Sequence, residues 1–159
     1  MSDAFYQVLA DQSEALGMLG TGYTYGGHPV AAAVALETLK IYESDGIIDH
    51  VREVSPRFLQ RLRRLNDHPL VGEARGVGLI GAVEIVKNKA TREQFDQQLK
   101  ASAQIVGKCL AHGLIVRPLP GDTIGICPPL IITAEEIDLL FDRLEAGLDD
   151  ALGAMPMAA

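Results

Sequence analysis

The sequence predicts an α+β fold, in which a glycine-rich loop and two helices lead into a smaller unit of short strands and two further helices. Three observations carry that prediction. Apolar residues recur at three-to-four spacing in several separate stretches, β-branched residues alternate with glycine and charge between 71 and 86, and no repeat or low-complexity linker divides the 159 residues. A chain of this length buries roughly two-thirds of its unfolded surface, so size permits an independent core. The divide between the two parts falls near Asp67, giving residues 1–66 and 67–159.

The first helix is expected over Asp3 to Leu16, with Phe5, Val8, Leu9 and Leu16 on its apolar side and Gly17 at its end. It begins at once, with no strand or cap-rich lead-in, which reads as either an internal methionine or an artificial boundary. Five of the eleven residues from Gly17 to Gly27 are glycine, so this stretch is a loop with wide backbone freedom. Pro29 suits a first helical position, where its missing N–H would be unpaired anyway. The helix from Pro29 to Ser44 carries alanine at 31, 32, 33 and 35 and stops at Gly46, so a neighbour can approach it closely. A longer helix, Ile47 to Leu65, places Ile47, Val51, Val54, Phe58, Leu62 and Leu65 on one side, with Pro56 as a bend.

Val71 to Val86 reads as an antiparallel hairpin in which Gly76 or Gly78 permits the reversal. Thr91 with Gln94 has the form of a capping box ahead of a helix carrying Phe95, Leu99, Val106 and Leu110 and closed by Gly113. Leu114 to Arg117 and Thr123 to Cys127 are short β-branched runs joined by a loop containing Pro118, Pro120, Gly121 and Asp122. Thr133 and Glu136 form a second capping box, and Ile137, Leu140, Phe141, Leu144 and Leu148 make an apolar stripe reaching Asp150. Ala151 to Ala159 is expected as a frayed tail.

Composition excludes several function classes. With 48% hydrophobic and 22% charged residues the chain is that of a soluble globular protein. A formal net charge of -7 repels phosphodiester backbones, so nucleic acid is not a partner. Arg61, Arg63 and Arg64 sit at a helix end, where cations complement the dipole. No stretch approaches the length of a membrane span, and no basic, apolar leader opens the chain. Cys109 and Cys127 are isolated, which fits reduced thiols in the cytoplasm.

Candidate chemistry is sparse. His28, His50, His68 and His112 show no ligand spacing, so no metal site is assigned. No Gly-x-Ser-x-Gly elbow occurs, and neither cysteine has a base nearby in sequence. The loop ending at Pro29 is different, because N–H groups at a helix start beside the hydroxyls of Tyr23, Thr24 and Tyr25 are what an anion needs. From spacing alone the leading reading is an ordinary glycine turn that caps a helix. Arg117, taken alone, is either a solvated strand-end arginine or a carboxylate ligand.

The string Gly22-Tyr23-Thr24-Tyr25-Gly26-Gly27-His28-Pro29 before Ala31-Ala32-Ala33 resembles the class III aminotransferase segment Gly-Phe/Tyr-Thr-Tyr-Ser/Gly-Gly-His-Pro. His68-Pro69-Leu70-Val71-Gly72, Arg75-Gly76-Val77-Gly78-Leu79, Gly113-Leu114-Ile115-Val116-Arg117 and Cys127-Pro128-Pro129-Leu130 follow in family order. The resemblance covers essentially the whole chain. It implies the C-terminal portion of a fold-type I pyridoxal-phosphate-dependent transferase, with interface loop and helices (1–66) followed by a small α+β domain with an antiparallel sheet (67–159). It also implies that Thr24, beside the backbone N–H of Tyr23, contacts the cofactor phosphate in the neighbouring subunit's site. Arg117 matches the family arginine that pairs with a substrate carboxylate.

In the family the Schiff-base lysine, the acidic partner of the pyridine nitrogen and the stacking aromatic all lie upstream of the matched region. Lys40, Lys87, Lys89, Lys100 and Lys108 match no family lysine, so no catalytic residue is assigned on this chain. The function implied is transfer of an amino group between an amine or amino acid and a keto acid or aldehyde, with this chain as a C-terminal fragment. Its partner would be a second copy or a full-length aminotransferase chain. The alternative is a non-catalytic dimerisation module derived from the same family.

Overall fold

Ser2 opens the first helix: its side chain accepts from the backbone N–H of Phe5 at 3.4 Å, and Gly17, at φ 93°, closes it. This computed structural model describes residues 2–17 and 22–156. The chain forms two compact units, Met1–Lys40 and Ile41–Ala159. The first holds α1 (Asp3–Leu16) and most of α2 (Pro29–Ser44). Gly20 and Thr21 of the expected loop lie outside the described residues. No residue of α1 or α2 is buried, and Phe5, Tyr6, Val30, Val34, Leu36 and Leu39 are exposed.

The second unit has two layers. α3 (Ile47–Arg64), α4 (Ala101–Ala111) and α5 (Ala134–Leu152) lie against an antiparallel sheet of β1 (Val71–Val77), β2 (Ile80–Ile85), β3 (Arg117–Leu119) and β4 (Thr123–Ile126), in the order β1-β2-β4-β3. Val83, Ile85, Ile124 and Ile126 bury the face toward the helices, and the alternation that drives this leaves Arg75, Ala82 and Gly125 on the other face. Phe58 of α3 meets Phe141 of α5 edge to face, with centroids 5.2 Å apart, at the centre of the core. The hairpin turns at Gly78-Leu79, where Gly78 takes φ 58°.

Several expectations are corrected. Thr91 and Gln94 do not cap a helix. Asn88 Oδ1 accepts from the N–H groups of Ala90 and Thr91, Glu93 bridges back to Lys87 and Asn88, and Arg92 has φ 57°. Asn88 therefore satisfies the donors locally in a turn. A short 3-10 turn, Gln97–Leu99, follows, and α4 starts only at Ala101, after Lys100 at φ 50°. Its N-terminal donor at Ser102 is met by Asp122 Oδ1, 3.1 Å away and twenty residues on.

The strand expected from Leu114 begins at Arg117, because Leu114 turns back with its N–H on the carbonyl of Cys109 at 2.9 Å. α3 runs unbroken through Pro56, and Ser55 Oγ donates to the carbonyl of Val51 one turn below. The segment after Asp150 is not frayed as far as it is described: α5 continues to Leu152, and Ala151 and Met155 are buried in the core. Residues 157–159 lie outside the described residues.

Candidate functional site

The Gly-rich turn sits at the start of α2. The N–H of Gly26 bonds the carbonyl of Tyr23 at 2.8 Å, that of His28 bonds Tyr25 at 3.2 Å, and Ala32 is the first helical residue to bond back, to His28 at 2.9 Å. N–H groups at the first helical positions have no intrahelical partner, and they lie beside Thr24 and Tyr23. Tyr23 is 84% exposed, so its ring contributes little to local packing. This donor set fits the phosphate end of a cofactor. It supplies no base, no acid and no stacking platform for a ring.

Arg117 is in the second unit, as the first residue of β3, paired across the ladder with Gly125. It lines an open groove of about 1180 Å³ with Ile80, Ile115, Leu119, Pro129 and Ile131. Ile115 is 86% exposed and Ile131 68%, so the walls are apolar surface turned to solvent. Glu136 also lines the groove, but its carboxylate accepts from the Thr133 N–H at 2.9 Å within the α5 capping box. Among the described residues no ion pair involves Arg117, and no lysine lines the groove. What remains is a single arginine on an apolar cleft, suited to a carboxylate with a carbon body.

His50 reaches the groove loop from α3, with Nε2 2.9 Å from the carbonyl of Ile132. A separate polar cluster joins α3 to α5. Arg61 contacts Asp138, Asp142 and Glu145, which recur along one face of α5, and Arg57 pairs with Asp138. Hydrogen bonding from Arg57 holds the Asp138 carboxyl below its ordinary range, while burial opposes the charge of Arg61 and Asp142 and Glu145 raise its pKa. Of the three arginines at the end of α3, Arg61 thus clamps two helices in addition to facing the dipole, with Arg57 one turn before it. Among the described residues no group of three or more His, Cys, Asp or Glu could hold a metal ion.

The structure places Tyr23 and Thr24 in the first unit and Arg117 in the second. Sequence reasoning did not single out Ile80, Ile115, Ile131 or Gly125 as parts of a site. The alternation along β2 and β4 hinted only at Ile80 and Gly125, Ile115 and Ile131 stand outside the strands, and joining them requires the non-local pairing of β2 with β4.

Comparison with known proteins bears on the whole chain. The family Aminotransferase class-III matches residues 5–148. A putrescine–pyruvate aminotransferase of Pseudomonas aeruginosa is 47% identical over 136 residues, 84% of this chain and 29% of that protein. A chloroplastic gamma aminobutyrate transaminase 3 of Solanum lycopersicum is 42% identical over 143 residues, 90% of this chain and 27% of that protein. Among solved structures, an omega-aminotransferase from Paracoccus denitrificans superimposes with a TM-score of 0.84 at 36% identity, covering 98% of this chain and 34% of that one. A PMP-bound aminotransferase from Vibrio fluvialis gives the same score, identity and coverage. The chain thus spans between a quarter and a third or so of the length of these relatives. Their fold is fold-type I, of which the helices and antiparallel sheet described here form one part. With residues 5–148 matched, the chain belongs to the class III aminotransferase family.

Proposed function

We propose that this chain is the C-terminal portion of a pyridoxal-phosphate-dependent transaminase, and that it contributes the carboxylate-binding residue of the amino-group acceptor or donor. The observation that carries the proposal is Arg117, at the head of β3, the basic side chain among the described residues of a mostly apolar groove. A guanidinium presents parallel N–H donors to both carboxylate oxygens, which fixes the orientation of a keto acid as well as its position. The apolar walls strengthen that pairing by displacing water.

At the other site, Thr24 Oγ and the backbone N–H of Tyr23 would hold the cofactor phosphate, with the start of α2 adding its partial positive charge. When bound, pyridoxal phosphate supplies the electron sink through which an amino group is exchanged. This chain orients and holds. The lysines it carries lie away from the groove: Lys40 pairs with Glu37, Lys87 with Glu93, and Lys89 with the carbonyls of Asn66 and His68. The reactive lysine is therefore assigned to a segment matching the upstream part of the relatives.

In the assembled enzyme we place the division near Asp67. Residues 1–66 form the end of the large domain and the dimer-interface region, with Thr24 serving the neighbouring subunit's phosphate, and 67–159 form the small domain. The compartment proposed is the cytoplasm, supported by free Cys109 and Cys127. No helix among the described residues is long and apolar enough to cross a membrane.

The test joins this chain to the upstream two-thirds of the Pseudomonas relative and measures amino transfer from putrescine to pyruvate. Arg117→Ala should raise the KM for pyruvate about 10- to 100-fold and leave that for putrescine, which has no carboxylate, near its starting value. An assembled protein that never transfers the amino group sinks the proposal. A second reading, a non-catalytic partner of a full-length relative, is favoured by the exposed apolar residues of α2. It requires the two chains to co-migrate when mixed, and separate masses in solution would exclude it.

A further inference from the structure

Arg117 and Gly125 face each other across β3 and β4, and Gly125 faces Ala82 across β2. Residues paired across an antiparallel ladder project from the same side of the sheet. Ile124 and Ile126, on either side of Gly125, are buried in the core, which leaves position 125 on the side of the groove that it lines with Arg117 and Leu119. A β-carbon built on Gly125 comes within 3.0 Å of Leu119 Cδ1 and 3.5 Å of its Cγ. Leu119 therefore occupies the space that a side chain at 125 would take, beside the residue that holds the cation.

Nothing in the backbone calls for glycine here. Gly125 is outside the left-handed region, and a strand position of this kind is ordinarily filled by a β-branched residue. What the glycine supplies is room for Leu119 to seat against the strand beside Arg117. We infer that Gly125 sets the size of the ligand that Arg117 can hold: with Leu119 seated over the bare position the groove admits the apolar body of a bulky monocarboxylate, and a side chain at 125 displaces Leu119 into the groove and confines it to small ones. The inference rests on the reading of Arg117 as the carboxylate ligand, and it names the substrate class of that same site. The exposed apolar walls at Ile80, Ile115 and Ile131 are the surface such a body would cover.

The 159-residue chain is titrated with 4-phenylbutyrate and with acetate, following backbone amide shifts by NMR, as wild type, Gly125→Val, Gly125→Ala and Arg117→Ala. Gly125→Val should weaken 4-phenylbutyrate by about tenfold and acetate by less than about twofold, because a mismatch in an apolar pocket discriminates by bulk. Gly125→Ala should fall between, and it decides the matter where the spectrum of the valine variant shows loss of the fold. Equal weakening of both ligands, no weakening of either, or no binding of 4-phenylbutyrate to the wild type overturns the inference. The Arg117 reading is scored separately. Arg117→Ala should weaken both ligands; if acetate is unaffected, that reading and the inference resting on it both fail, whereas a failure confined to the position-125 variants overturns the inference and leaves the Arg117 reading standing.

Discussion

His68 stands where the connection from α3 into β1 meets α5, and its ring is committed on both sides. Nδ1 accepts the N–H of Leu70 at 3.2 Å, which fixes the neutral tautomer with the proton on Nε2, 3.3 Å from Asp149 Oδ1. Burial pushes its pKa below 6.5, Asp149 and Glu145 oppose the shift, and Lys89 adds to it. The unfolded chain takes up a proton as pH falls below 6.5, whereas the folded chain does so only at lower pH and then loses the acceptor for Leu70. Stability is therefore complete above 6.5 and declines as pH falls from there through the folded value. The urea midpoint of the wild type should drop more between about pH 7.5 and about pH 5.5, which bracket the ordinary histidine range, than that of His68→Gln. Parallel midpoints would remove His68 as the cause. Asn66 illustrates a different kind of residue effect. Its side chain accepts the N–H of Ala74 at 2.8 Å and donates to the carbonyl of Ala74 at 3.4 Å, so it occupies the open edge of β1 as another strand would. Neither role is visible in sequence, where Asn66 is assigned nothing and His68 stands only as a histidine without ligand spacing and in the string His68-Pro69-Leu70-Val71-Gly72.

Among the elements, α5 was the most legible and α4 the least, and the difference lies in where their first N–H groups find partners. The α5 capping box is local: Glu136 N–H to Thr133 Oγ1 at 3.2 Å and Thr133 N–H to Glu136 at 2.9 Å, three residues apart. Thr133→Ala removes one half of it and should cost about 1 kcal/mol, read as a lower urea midpoint with an unchanged m-value. Thr133→Ser should keep nearly all of that stability, and equal losses in the two variants would show that the hydroxyl is not what matters. The start of α4 depends instead on Asp122, which comes from the loop between β3 and β4 and takes φ 44°. The backbone carbonyl of Asp122 accepts the N–H of Ile85 at 2.8 Å, so one residue ties α4 to the end of β2. A pattern such as Thr91 with Gln94 has the form of a cap, yet Asn88 already holds the donors it needed. The hairpin was readable because its register is set by neighbours in sequence. The insertion of β4 between β2 and β3 was not, since it joins strands some forty residues apart. The candidate site divides in the same way. Thr24 and Arg117 came from a contiguous string and its ordered companions, while the groove that gives Arg117 its surroundings exists only once β2, β3 and β4 are paired.

At the scale of the molecule, the two units differ in what sustains their helices. α3 and α5 bury Phe58, Leu62, Phe141 and Leu144 completely or nearly so, whereas α1 and α2 bury none of their residues. α2 is apolar on several sides, with Val30 and Val34 one turn apart, Leu36 and Leu39 between and beyond them, and few charges to solvate it. A helix with that distribution is ordinarily enclosed by other protein, and a 16-residue helix without packing is marginal in water even when rich in alanine. Amide hydrogen exchange on the dilute chain should therefore separate the units. Amides of β2, β4 and α5 should exchange only through global unfolding, and those of α1 and α2 at least about 100-fold faster through local opening. Raising the concentration or adding a full-length relative should slow exchange in α2 selectively, since whatever covers its apolar surface also holds its hydrogen bonds closed. Uniform protection of α2 and α5 in the dilute chain would mean that α2 is sustained without a cover, and the assignment of its exposed face to an interface would fall with that result.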